Sequence, residues 1–132
     1  ISSEFVSSYI HHGNRLASIV GLNIHNQDYL EAGKDVCMQI AAMNPMGISE
    51  KDISKEVLDR ELDIAKDTAR KEGKPEEMME RIALGRLGKF FKENTLLKQA
   101  FIKDGKKSIE QYLKEINSEL NISEFKRFGL SS

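Results

Sequence analysis

Between residues 54 and 96 the chain carries two amphipathic helical patterns separated only by Glu72-Gly73-Lys74-Pro75, and this constrains the fold more than any other feature. After Ser54, the residues Leu58, Leu62, Ala65 and Ala69 recur at steps of four, three and four, which places them on one seam of a helix ending at Gly73. Pro75 suits the first turn of a second helix, where its missing N–H leaves no bond unmade. Met79, Ile82, Ala83, Leu87, Phe90 and Phe91 supply that helix's apolar side. With so short a link the second helix must return along the first, giving an antiparallel helical hairpin in which Leu62 faces the second helix. Lys55, Glu56, Asp59, Arg60, Glu61, Asp63, Lys66 and Asp67 mix both signs, as expected of a solvated, projecting coiled-coil arm. Gly85 and Gly88 fall inside the helical pattern, so they read as allowing close helix packing and not as a phosphate loop.

The flanks use a different periodicity. From Phe5 to Asn23, β-branched and aromatic residues stand on both sides of His12-Gly13-Asn14, a hairpin signal in which Gly13 and Asn14 suit the positive φ of a tight turn. Asp28 precedes Glu31 by three, the spacing of a capping box, and opens a helix through Val36, Cys37, Ile40, Ala41 and Met43 that Pro45 stops. Beyond the arm, Lys103-Asp104-Gly105 is a turn cluster. Ser108 and Gln111 make a second capping box before a helix with Ile109, Tyr112, Leu113 and Ile116 on one face, ended loosely by Asn121 and Ser123. Ile122, Phe125 and Phe128 form a last β-prone stretch, placed as a third strand beside the opening hairpin. The expected class is α+β: residues 1–132 as one domain, a small antiparallel sheet packed with helices on one face, with the helical hairpin of residues 54–96 inserted in the middle.

Charge and chemistry narrow the function. Twenty basic and twenty-one acidic residues nearly cancel, so no field draws nucleic acid or an anionic membrane, and direct nucleic-acid binding is not expected. No apolar run approaches the roughly 18 residues needed to span a bilayer. The single cysteine, Cys37, has no partner for a disulfide or a zinc site and fits a reducing, cytoplasmic compartment. His11 and His12 would point to opposite faces of one strand, which argues against a shared metal. Cys37, amid Val36, Met38 and Ile40, reads as inert core; Glu31, Asp35 and Glu76-Glu77 read as helix-terminus charges and not as an acid/base couple. No metal and no cofactor is expected, and the residues alone describe a soluble interaction domain.

A resemblance sharpens this. Tyr9-Ile10-His11-His12-Gly13-Asn14-Arg15, Ala41-Ala42-Met43-Asn44-Pro45, Gly73-Lys74-Pro75, Gly85-Arg86-Leu87, Lys89-Phe90-Phe91-Lys92-Glu93, Leu96-Leu97-Lys98-Gln99 with Phe101, Asp104, and Ser108-Ile109-Glu110-Gln111-Tyr112-Leu113 follow one another as in the elongation factor Ts family. The match is collinear from residue 9 to about residue 117, and it resembles that family's C-terminal, dimerisation-type half. Two small departures are Ala17, where the family commonly has glycine, and Ala100, where it has proline. A larger one is the absence of the family's threonine, aspartate, phenylalanine motif, which disturbs the magnesium site of elongation factor Tu. The small N-terminal helical domain is not in the sequence either; with Ile1 as the first residue, a fragment of a longer protein is expected. The resemblance implies a translation factor that promotes guanine nucleotide exchange by binding elongation factor Tu, with the sheet and final helix facing either the partner's C-terminal β domains or a second copy of the chain in a homodimer. By the same resemblance His11 is the partner contact, Tyr9 and Gly13 shape the hairpin that presents it, and Arg15 is a second candidate contact. Two rival readings are a small histidine-dependent enzyme using His11 or His12 as a base and a purely structural dimerisation module.

Overall fold

Alternation with period two builds a sheet at both ends of the chain, and helical periodicity fills the middle. The computed structural model describes residues 3–10 and 16–129. Strands β1 (Phe5–Ile10), β2 (Leu16–Leu22) and β5 (Ile122–Gly129) form an antiparallel sheet in the order β1-β2-β5. The hairpin and the third strand are thus as the sequence predicts; the turn itself, with Gly13 and Asn14, lies outside the described residues.

Helix α1 (Leu30–Met43) packs across β1 and β2. Val20 and Leu22 meet Val36, Cys37 and Ile40 in a fully buried core, which Leu96, Ile109 and Leu113 extend. The approach is close. A Cβ at Gly33 would stand 2.1 Å from Ser7 Oγ, while Cys37 Sγ donates to the Ser7 carbonyl at 3.2 Å and Ser18 Oγ donates to the Cys37 carbonyl at 2.6 Å. Burial pushes the Cys37 thiol up to about 11, in keeping with an inert core cysteine. The start of α1 differs from expectation. Asn26, and not Asp28, is the cap: its side chain accepts the Asp28 N–H at 2.9 Å and begins a 3-10 turn, Gln27–Tyr29, that runs into the helix. Asn44, in the left-handed region at φ 47, closes the other end just before Pro45.

The arm is the predicted hairpin, α2 (Lys55–Lys71) against α3 (Met79–Asn94). Ser54 caps α2 by accepting the Val57 N–H. Gly73 ends it at φ 80, with Lys74 N–H donating to Ala69 and Gly73 N–H to Arg70, the paired bonds that satisfy a helix's last carbonyls. Ala65, Ala69, Met79 and Ala83 are the arm's buried residues, and Leu58, Leu62, Ile82, Leu87, Phe90 and Phe91 are half-buried beside them. The glycine reading fails: Gly85 and Gly88 are exposed, and a Cβ on either would meet nothing within 4 Å, so neither permits close packing.

Lys103-Asp104-Gly105 is more than the turn its sequence predicts: β3 (Ala100–Phe101) and β4 (Asp104–Ser108) pair as a second, two-stranded sheet with Ile102-Lys103 between them. The buried Gln39 side chain holds this piece by donating to the Ala100 carbonyl at 3.0 Å and accepting the Ile102 N–H at 2.9 Å. Helix α4 (Ile109–Ile116) begins with the predicted Ser108–Gln111 capping box and stops at Asn117, earlier than the sequence implied.

Candidate functional site

Burial alternates along β1. Phe5, Ser7 and Tyr9 turn toward α1, and Val6, Ser8 and Ile10 turn outward. Strand register carries that outer face across the sheet in three rows: Ile10, Ala17 and Phe128; Ser8, Ile19 and Lys126; Val6, Gly21 and Glu124. Ile10 is 60% exposed, Val6 45% and Phe128 41%, while Ala17, between Ile10 and Phe128, is buried. Apolar side chains therefore stand in solvent on the face opposite α1, densest in the row beside the hairpin turn. Phe128 was not attributable to the same face until β5 had a register.

Tyr9 is the one sequence-predicted site residue that the structure describes. It lies next to last in β1, half-buried against the core and opposite Ser18, whose hydroxyl is bonded to α1. His11, Gly13 and Arg15, with His12, lie outside the described residues. His25 sits at the other end of the hairpin, stacked on Phe5 at 5.5 Å between ring centroids.

Asp35 requires a correction. It is buried in the middle of α1, and so does not act as a helix-terminus charge. Tyr112 Oη donates to its Oδ2 at 2.6 Å and Lys103 Nζ to its Oδ1 at 2.6 Å, joining α1, the β3–β4 turn and α4. Burial and then the Asp35 hydrogen bond raise the Tyr112 pKa, so the phenol keeps its proton; the hydrogen bond and charge of Asp35 raise that of Lys103. Phe101 stacks on the Tyr112 ring at 4.3 Å. Both oxygens of the carboxylate are engaged, which makes this a strut between elements and leaves no free base. The other acidic pair behaves as a surface charge: Glu76 meets Arg70 at 2.9 Å at the arm's tip, where Arg86 also meets Glu72 at 3.4 Å.

Among the described residues no group of three or more His, Cys, Asp or Glu is arranged to hold a metal ion, and no helix is long and apolar enough to cross a membrane. What the described residues offer is surface: an open apolar sheet face and a projecting charged arm.

The chain is similar to known proteins over its whole length. A family model described as elongation factor TS matches residues 1–132. Among curated relatives named elongation factor Ts, that of Amoebophilus asiaticus is 50% identical over 128 residues, covering 96% of this chain and 46% of the relative. That of Christiangramia forsetii is 46% identical over 130 residues, 98% of this chain and 47% of the relative. That of Cytophaga hutchinsonii is 46% identical over 132 residues, 99% of this chain and 48% of the relative. The chain spans about half the length of these relatives.

Proposed function

The chain belongs to the elongation factor Ts family, and from that premise we propose that it acts by binding and not by covalent chemistry, recognising elongation factor Tu and contributing to guanine nucleotide exchange on it during protein synthesis. The observation that carries this reading is a family match running through every element from β1 to β5. An exchange factor works by linkage: it binds the nucleotide-free state of its partner more tightly than the nucleotide-bound state, and so weakens nucleotide affinity by the same factor. Translation puts the proposed place of action in the cytoplasm.

His11 is the proposed partner contact, with Tyr9 and Gly13 shaping the hairpin end and Arg15 as a further contact. The outer sheet face, with Ile10, Ala17 and Phe128 in one row beside that turn, is the proposed seat of a second copy of the chain or of an equivalent sheet. Residues 1–132 are read as a dimerisation-type domain, with residues 54–96 as its arm and with the groups that disturb the partner's magnesium site in the part of the relatives that this chain does not cover.

The test is retention on immobilised nucleotide-free elongation factor Tu, followed by stopped-flow release of labelled guanine nucleotide. The expected result is binding with exchange slower than that of an intact factor, and His11→Ala should weaken binding by about tenfold, an anchor-sized loss of ~1.4 kcal/mol, with an unchanged melting temperature. No retention at any salt concentration would overturn the reading in favour of a structural module. An unchanged response to His11→Ala would remove the assignment of the contact.

A further inference from the structure

The two chain segments that enter and leave the arm are bonded to each other where they leave the core. Met46 N–H donates to the Asn94 carbonyl at 2.8 Å, Leu96 N–H to Gly47 at 2.9 Å and Leu97 N–H to Ile48 at 3.0 Å, around a parallel bridge between Gly47 and Thr95. Side chains tighten this root from both sides. The Asp52 carboxylate accepts the N–H groups of Ile48 and Ser49 at 2.9 and 3.1 Å, so the segment before α2 folds back on itself. Thr95, fully buried, donates through Oγ1 to the Phe91 carbonyl at 2.7 Å, and Gln99 Nε2 donates to the Glu93 carbonyl at 2.9 Å, so the last turn of α3 is held as well. Glu50 and Lys98 form an ion pair across the root, and Lys98 lies 5.6 Å from the centroid of the Phe91 ring. Leu96 and Leu97 enter the core cluster of the domain, and Ile53 is buried as well. Above the root the two arm helices pack chiefly on each other.

One residue makes the geometry possible. A Cβ at Gly47 would stand 2.5 Å from Asp52 Cβ, with the Asp52 backbone at 3.6 Å. The near atom is the base of a side chain and not its flexible end, so it has no way to yield without moving the turn that leads into α2. Gly85 and Gly88, in the arm itself, show no such restriction.

We propose that this root fixes the direction of the arm, so that arm and sheet domain move as one rigid piece whose angle is set by the close approach of Gly47 to Asp52. A helix of this length reaches about 25 Å, so a swing of about 20° at the root carries the tip through roughly 9 Å. The proposal concerns the chain alone and does not depend on what the chain binds.

The experiment is pulsed electron–electron spin resonance between labels on Lys74→Cys at the arm tip and Lys34→Cys on the exposed side of α1. Cys37 is fully buried and leaves those two positions as the labelled ones. One narrow distance distribution is expected from the otherwise native chain. Gly47→Ala should shift or broaden it by several ångströms, and Gly85→Ala should leave it unchanged. Asp52→Ala, which removes the acceptor of Ile48 and Ser49 without adding an atom, is the second variant should Gly47→Ala fail to fold, and broadening is expected of it too. A broad distribution in the native chain overturns the proposal, as does an unchanged distribution in whichever of the two variants folds.

Discussion

The sheet domain and the arm reach order by different means. In the sheet domain Leu22, Ile40, Leu96, Ile109 and Leu113 are fully buried, and large side chains from both ends of the chain meet in one cluster. In the arm the buried residues are three alanines and one methionine, with the larger apolar groups left half in water. Burial stabilises by about 0.8 kcal/mol per CH2 group, so the seam of the arm is weak per residue. Its helices depend on caps, on a well-closed tip and on the root below them. The lesson is that a helical hairpin legible in sequence is not thereby a second core.

Five substitutions would sharpen or break that comparison. Ile40→Ala, in the fully buried cluster, should cost about 4 kcal/mol in urea unfolding, because a cavity is left where two elements meet. Asp35→Ala should cost about 2 kcal/mol by the same measurement, since the Tyr112 hydroxyl loses its acceptor beside a buried helix; Arg70→Ala, at an exposed ion pair on the arm, should leave the melting temperature unmoved. Leu62→Ala should cost about 1 kcal/mol, less than a core leucine, because the side chain is only half-buried against α3. A loss matching that of Ile40→Ala would show the arm to be as tightly packed as the domain. Gly85→Ala should have the opposite sign, raising stability by about 0.7 kcal/mol in a thermal melt, because an added Cβ meets nothing and helix interiors favour alanine.

What the sequence revealed follows the same division. Gly73, Pro75 and Ser54 announce the arm's ends through backbone chemistry that needs no distant partner, and Ser108 with Gln111 does so for α4. The failures depended on distant partners. Asp104 to Ser108 carries no apolar alternation, and its strand is supported by Gln39, far off in α1, which holds the facing Ala100 and Ile102. Asp35 looked like a terminus charge because Tyr112 and Lys103, which engage it, are remote in the chain. For the site, the strand that carries Tyr9 could be read from local pattern. The outer face could not, since the row of Ile10, Ala17 and Phe128 exists only once β5 has found its register.

That long-range pairing also bears on the order in which the domain assembles. Leu22 is bonded opposite Ile122, so the sheet closes only after roughly a hundred residues have been brought into a loop, and such closure slows folding. The arm needs no such closure, because its contacts join neighbours across a tight tip. If the arm zips first and the bridge between Gly47 and Thr95 forms at its base, nearly half of that loop is already shortcut before β5 arrives. The insertion then acts as a tuck in the chain: the longest excursion between β2 and β5 becomes the part of the molecule that folds fastest, and the last strand has less sequence to search through when a chain is finished from its N-terminus onward.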